Sequence, residues 1–149
     1  MKLTTKEKLL LDDLKTQEQV CVTKYEQYAD KAKDEQLKTL FTNLANGEKE
    51  HLTIINEIIK GETPVLPKPK AKKALPQYEK VNIKSAETKE DTYLCNDALA
   101  MEKHASSLYD TSIFEFCSTE LRNVLNHLQK QEQGHGEAIY NYMAQLQLV

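Results

Sequence analysis

Apolar residues recur at three- and four-residue spacing over four stretches of this chain, which is the periodicity of helices that bury one face. Each stretch follows a residue that commonly caps a helix, and these residues are Thr4, Asp34, Thr88 and Ser118. The two threonines also have an acidic residue three positions later, which completes a capping box. The pattern predicts four long helices, which end near Ala32 for the first, at Gly61 for the second and close to Val149 for the fourth.

The four prolines of the chain all lie between the second and third predicted helices, among several lysines. Proline interrupts a helix, so residues 62–87 are predicted to be a linker, which is long beside the roughly 2–8 residues that usually join neighbouring helices. Short loops elsewhere predict two antiparallel hairpins, over 4–61 and 88–148. We therefore expect one all-α domain over 1–149, a four-helix bundle whose hairpins are joined by a crossover linker.

The second half of the chain repeats the first at an offset of 84 residues, without a gap. Matches of leucine with leucine arise easily by chance in helical proteins, whereas matches of polar residues in a core register do not. The polar matches pair Glu18 with Glu102, Tyr25 with Tyr109, Glu48 with Glu132, and His51 with His135. The repeat predicts two copies of one hairpin related by a pseudo-twofold axis.

Each apolar stripe is interrupted at its middle by a glutamate that lies 14 residues beyond the cap of its helix. Antiparallel packing would bring these four carboxylates into one buried layer. Burying even one ionised carboxylate has an idealised cost on the order of 20 kcal/mol, and two divalent cations would neutralise all four. A histidine follows two of the glutamates by three residues, on the same helical face. The predicted metal ligands are Glu18, Glu48, His51, Glu102, Glu132 and His135.

Carboxylate and imidazole ligands in this combination favour two iron ions, with manganese as the alternative. A single Glu-x-x-His is common on helices, so the competing hypothesis is a structural bundle whose site is vestigial or only structural. Tyr25 and Tyr109 lie two turns beyond Glu18 and Glu102 on the same faces. A hydrogen bond to a ligand carboxylate, a redox role and plain core packing are all open for these tyrosines.

This set of residues resembles the ferritin-like superfamily, in particular its bacterioferritin and rubrerythrin branches, and the resemblance covers all four helices. It implies a ferritin-like fold, a di-iron site at the six ligands, and Tyr25 and Tyr109 acting beside it. It also implies oxidation of Fe(II) or reduction of dioxygen or hydrogen peroxide, with an electron donor that the sequence does not identify.

Several departures limit what the resemblance implies. Lys49 follows Glu48 where haem-binding bacterioferritins have a methionine, so no haem is expected. Ala105 stands where rubrerythrin has an extra carboxylate, and no Cys-x-x-Cys pair provides a rubredoxin module. No fifth helix is expected, so we expect a monomer or homodimer rather than a 24-subunit cage.

The second half, from Glu102 to Met143, also resembles ferritin-like spore coat proteins of the coat-F type. That resemblance implies an alternative function, a structural spore-coat-type protein that keeps the fold and a structural or vestigial metal site. An oxidoreductase of the ferroxidase or peroxidase type and a coat protein are therefore the two hypotheses.

Charge and cysteine content indicate which partners and which cellular compartment to expect. The net charge of −3 favours neither nucleic acid nor a membrane surface as a partner, and no stretch approaches the roughly 20 apolar residues of a membrane helix. The chain starts with charged residues rather than the apolar run of a signal peptide. Cys21, Cys95 and Cys117 are odd in number and far apart, which fits a reducing compartment. We expect a cytoplasmic protein, spore-associated if the coat-protein hypothesis holds.

Overall fold

The computed structural model describes residues 2–149, and within them the only regular secondary structure is helical. Four long α-helices pack as two hairpins, which confirms the predicted four-helix bundle. The ferritin-like assignment itself stays a resemblance. The helices are α1 (Thr5–Lys31), α2 (Glu35–Ile59), α3 (Ser85–Glu115) and α4 (Thr119–Gln145).

Three of the four predicted helix starts are confirmed by their caps. The Thr4 hydroxyl accepts a hydrogen bond from Glu7 N at 3.1 Å, and Glu7 Oε1 accepts one from Thr4 N at 2.8 Å, which completes the capping box. Asp34 and Ser118 cap α2 and α4 through their side-chain oxygens. These caps satisfy backbone N–H groups that have no partner within the helix.

The predicted cap of the third helix at Thr88 is wrong, because the N-cap is Lys84, four residues earlier, and α3 begins at Ser85. Glu87 accepts a hydrogen bond from Lys84 N, which fixes the earlier start. The carboxylate of Asp91, expected to close a box with Thr88, accepts instead from the backbone N–H groups of Lys33 and Asp34 at 2.8 and 3.0 Å. Asp91 therefore makes a tertiary contact instead of the helix cap that the local sequence pattern predicted.

Contacts at the helix ends fix the topology. Asp91, near the start of α3, lies against the loop that follows α1, while Glu7 near the start of α1 accepts from Cys117 N just beyond α3. Helices α1 and α3 are therefore antiparallel. Since the short loops make α1–α2 and α3–α4 antiparallel as well, α2 and α3 run in the same direction. The segment between them must cross the length of the bundle, as the long linker predicts.

The same two contacts show the internal repeat in three dimensions. Glu7 and Asp91 are 84 positions apart, and so are their backbone donors Lys33 and Cys117. Each hairpin thus supplies a buried carboxylate that accepts hydrogen bonds from backbone N–H groups in the loop of the other hairpin. The linker is tied to α4 through Gln145, which accepts from Tyr78 N at 2.8 Å and donates to the carbonyl of Pro76 at 2.8 Å. Gln36 ties it to α2 through the backbone of Glu79.

The core has two apolar clusters, one towards each end of the bundle, and a polar layer between them. Side chains such as Tyr25 and Phe41 fill one cluster, and Leu14, Ile55 and Leu125 fill the other. Their burial supplies the hydrophobic stabilisation that must offset the cost of the polar layer. None of the helices over residues 2–149 has a stretch long and apolar enough to cross a membrane.

Candidate metal centre

The polar layer brings all six residues predicted as metal ligands together. Their side chains form two groups whose candidate ligand atoms lie within 4.8 Å of one another. One group combines Glu18 and His51 with Glu48 and Glu132, and the other combines Glu102 and His135 with the same two glutamates. Glu48 and Glu132 are therefore shared between the groups. Their role as metal ligands stays a prediction, but the geometry that it requires is present.

Each histidine turns its Nδ1 atom towards the carboxylates. His51 Nδ1 lies 3.0 Å from Glu132 Oε1, 3.3 Å from Glu48 Oε2 and 3.8 Å from Glu18 Oε2. The corresponding distances from His135 Nδ1 are 2.8 Å to Glu48, 3.3 Å to Glu102 and 3.4 Å to Glu132. The two rings stack at a centroid separation of 5.3 Å. The two nitrogens thus face one compact group of oxygens.

Every one of the four glutamates has a buried Oε2 atom without a hydrogen-bond partner among the residues that the structure describes. Buried polar atoms in native proteins almost always have partners, and an unpartnered carboxylate oxygen is especially costly. Four such atoms in one layer are the arrangement that bound cations would satisfy. The residues present therefore fit a dinuclear site with carboxylate and imidazole ligands.

Electrostatics in the protein without metal lead to the same conclusion. Burial, reinforced by the neighbouring Glu48, raises the pKa of Glu18 to about 10. Burial and the nearby Glu102 also raise the pKa of Glu132. Burial alone would raise the pKa of Glu48 too, but hydrogen bonds from His135 and His51 outweigh it and lower that pKa. At neutral pH Glu18 and Glu132 therefore keep their protons unless positive charge is added to the layer.

The two tyrosines contact the glutamates of the opposite hairpin. The Tyr109 hydroxyl donates to Glu18 Oε1 at 2.6 Å, and the Tyr25 hydroxyl donates to Glu102 Oε1. Burial raises the pKa of both phenols, so the hydroxyls keep their protons and act as donors. The sequence left a ligand hydrogen bond, a redox role and plain packing open, and the structure shows the hydrogen bond. Each bond leaves the second oxygen of its glutamate directed into the layer.

Two residues near the histidines were not singled out from the sequence. Gln131 Oε1 lies 2.8 Å from His51 Nε2, and Gly47 occupies the position 84 residues earlier, close to His135 Nε2. The sequence offered one signal for these two residues. They occupy equivalent positions of the repeat, close to the matched histidines, but one is glutamine and the other is glycine. The two other histidines lie off the ligand faces, which predicts that both are on the surface: His104 is exposed, but His127 is half-buried.

A groove of about 800 Å³ lies between α3 and α4 and reaches the polar layer. Glu102 and Glu132 lie among its lining residues, together with Lys103, Gly136 and Tyr140. A small molecule or ion could thus approach two of the glutamates from outside the bundle.

Residues 90–147 match the family model of the Coat F domain. The matched segment is less than half of the chain and spans most of α3 and all of α4, so it includes Glu102, Tyr109, Glu132 and His135. This match agrees with the resemblance to coat-F proteins noted from the second half of the sequence. No curated protein and no solved structure matched the chain significantly.

Proposed function

We propose that this chain is a spore-coat-type helical bundle protein that binds two divalent metal ions in its core. The observation that carries the metal proposal is the set of four buried carboxylate oxygens without partners, which face two histidine nitrogens in a single layer. The Coat F match over residues 90–147 supports the spore association.

In this proposal the two groups of side chains hold one ion each. Glu18 and His51 would serve one ion, Glu102 and His135 the other, and Glu48 with Glu132 would serve both. We propose iron as the metal, with manganese as the alternative, because both accept mixed carboxylate and imidazole ligands.

The first consequence of metal binding is mechanical. The six ligands come from all four helices, so bound ions would tie the two hairpins together at mid-height. A ligand that binds only the folded state stabilises it by about 2.7 kcal/mol when its concentration is 100 times Kd. A bundle stabilised in this way would suit a structural protein.

A redox activity is the second candidate function, and the groove and the tyrosines favour it. Bound iron would supply electron exchange with dioxygen or peroxide. The groove between α3 and α4 gives such a small oxidant a path to Glu102 and Glu132. Tyr25 and Tyr109 hold the ligand carboxylates in orientation, and the surrounding apolar clusters keep bulk water away from the layer.

Metal analysis of the purified protein tests the proposal, and Glu48→Gln and Glu132→Gln are the variants to compare. We expect two ions per chain in the unaltered protein and loss of both in either variant, because each of these glutamates belongs to both groups. Glu50→Gln, on the exposed face of α2, is the matched control and should keep both ions. If the unaltered protein takes up no divalent metal, the metal proposal fails.

The same samples separate the two candidate functions. The protein is loaded with Fe(II) under anaerobic conditions and then exposed to air or peroxide while the near-ultraviolet spectrum is recorded. Ferric absorption that develops only with the intact ligand set would support the redox activity. A higher melting temperature on loading without any oxidation would support the structural role alone.

A further inference from the structure

The repeat gives both halves of the site the same ligand types, so any difference between the halves must come from the residues around them. The two histidines differ most in this respect. His51 has 1% of its side chain exposed and His135 has 15%. Their neighbours at equivalent positions differ in a way that bears on how firmly each ring is held.

His51 is held at both ring nitrogens. Its Nε2 atom donates to Gln131 Oε1 at 2.8 Å while its Nδ1 faces the carboxylates. A hydrogen bond at the second nitrogen fixes both the tautomer and the ring orientation of a ligating histidine. Gln131 is therefore a positioning residue for His51.

His135 lacks this support. The position equivalent to Gln131 is Gly47, and a Cβ atom there would lie 2.9 Å from His135 Nε2. No group of residues 2–149 makes a hydrogen bond to that nitrogen, whereas Nδ1 lies 2.8 Å from Glu48 Oε1. The ring is therefore held on its carboxylate side only.

The backbone that carries His135 is also weaker than its counterpart. Gly134 and Gly136 flank His135 in α4, where Glu50 and Leu52 flank His51 in α2. Packing does not demand either glycine, since a Cβ at position 134 would meet nothing within 4 Å and one at 136 would touch Leu99 only at 4.0 Å. Glycine inside a helix is less favourable than alanine, because its backbone loses more conformational freedom on folding. With Gly47, three of the four glycines in the protein surround this one histidine.

The groove opens on the same half of the site. Glu102 lines it, with 4% of its side chain exposed, and so does Gly136, which follows His135 in α4. The side chains of Glu18, His51 and His135 do not line it. An ion near Glu102 would therefore have a short path to solvent through this groove. On the other half, Gln131 separates His51 from a second groove, beside linker residues 66–70.

We propose that the two metal positions are inequivalent, with the position at Glu102 and His135 exchanging its ion through the groove between α3 and α4, and the position at Glu18 and His51 retaining its ion. This inference rests on the proposed two-metal site and assigns its halves different roles. The weak support of His135 lets the ring move aside when an ion passes, while Gln131 prevents the same motion of His51.

Release of Co(II) tests the assignment. The full chain is loaded with two Co(II) ions, mixed with excess chelator, and followed by visible absorption. We expect two kinetic phases, one ion each. Gln131→Ala should accelerate the slow phase about 10- to 100-fold, the usual range for loss of a group that orients a metal ligand, and leave the fast phase unchanged. Gly134→Ala and Gly136→Ala should slow the fast phase only.

The outcomes are distinguishable from those of the underlying proposal. Two bound ions released at one common rate would overturn the inequivalence and leave the two-metal site intact. Two phases in which Gln131→Ala accelerates the fast one would overturn the assignment of the halves. No tight binding of Co(II) would overturn both proposals. Circular dichroism on each variant confirms that the helices are retained, and both alanine substitutions should raise the melting temperature because they strengthen α4.

Discussion

The hydroxyl of Tyr109 on α3 donates a 2.6 Å hydrogen bond to Glu18 Oε1 on α1. The partners belong to different hairpins, and the equivalent bond runs in the opposite sense, from Tyr25 on α1 to Glu102 on α3. Each bond occupies one oxygen of its glutamate, and the other oxygen is the unpartnered Oε2 atom in the polar layer. The tyrosines thus connect the packing of α1 against α3 to the orientation of two candidate ligands.

Replacing Tyr109 with phenylalanine should weaken metal binding while the protein stays folded. The variant keeps the ring in the core but removes the donor that orients Glu18, and loss of such a group commonly lowers metal affinity 10- to 100-fold. Competition between the protein and a chromophoric chelator for Co(II) measures the change. Tyr93→Phe, on the exposed face of α3, is the control. Equal affinities in Tyr109→Phe and the unaltered protein would show that the tyrosine only fills space.

Glu18→Gln should raise the melting temperature of the metal-free protein and reduce the further rise caused by metal. Burial raises the pKa of Glu18 to about 10, so at neutral pH the metal-free protein must protonate this carboxyl or keep a charge buried. Glutamine has the same shape and avoids that cost, but it provides no anionic ligand. Thermal unfolding at pH 7 with and without metal checks both halves of the prediction.

Glu50→Gln, on the solvent-exposed face of α2, should change neither the melting temperature of the metal-free protein nor its rise on metal addition. A lower melting temperature of metal-free Glu18→Gln, combined with an undiminished rise on metal addition, would contradict the idea that Glu18 is kept for a cation.

Glu7→Gln should destabilise the protein at neutral pH and much less in acid. Burial would raise the pKa of Glu7, but hydrogen bonds from the backbone of Thr4 and Cys117 outweigh it and lower the pKa below the ordinary 4.5. A lowered pKa means that the stabilisation is complete above about pH 4.5 and is lost as the pH falls through the native value. Losing hydrogen bonds to a charged acceptor should cost about 1–3 kcal/mol at pH 7.

Denaturant unfolding of Glu7→Gln and the unaltered protein at pH 7 and pH 3 gives the comparison. The difference in unfolding free energy should shrink at pH 3, because the carboxyl of the unfolded chain, with its ordinary pKa of 4.5, is then mostly protonated. A difference of equal size at both pH values would mean that the charge of Glu7 contributes nothing. Glu50→Gln again reports the effect of removing an exposed charge.

Helix periodicity was enough to predict most of the fold and the composition of the polar layer. The inward stripe of α2 from Leu37 to Ile58 is buried as expected, because the 3.6-residue period leaves one choice of face. The corresponding stripe of α4, from Leu121 to Tyr142, is also buried except at His135, which is half-buried. Equal depth below the caps at Asp34 and Ser118 sufficed to bring Glu48 and Glu132 into one layer.

Features that depend on contacts between the hairpins could not be predicted in this way. Asp91 caps no helix, because it accepts hydrogen bonds from the loop after α1, and no local pattern reveals that contact. The different surroundings of the two histidines were not predicted, because the sequence repeat was used to find positions that match rather than positions that differ. Gln131 and Gly47 differ, and the effect of that difference appears only when the rings of His51 and His135 are placed beside them.

Gly47→Ala separates the contribution of glycine to stability from its contribution to metal binding. Alanine should strengthen α2 by about 1 kcal/mol. Its Cβ would lie 2.9 Å from His135 Nε2, but that atom belongs to a partly exposed ring that can turn away in the metal-free protein. The gain in helix propensity should therefore equal or exceed the steric cost, and the melting temperature of the metal-free protein should rise or stay level.

In the metal-bound protein the steric cost of Gly47→Ala should exceed the gain in helix propensity, because a His135 ring bound through Nδ1 cannot turn away from the new methyl group. Gly47→Ala should therefore bind one ion rather than two, as measured by metal analysis after gel filtration. Gly134→Ala, whose Cβ would meet nothing within 4 Å, gains the same helix propensity and should keep both ions. If Gly47→Ala also keeps two ions, the open space beside His135 is not needed for metal binding, and glycine at this position would have no role in the site.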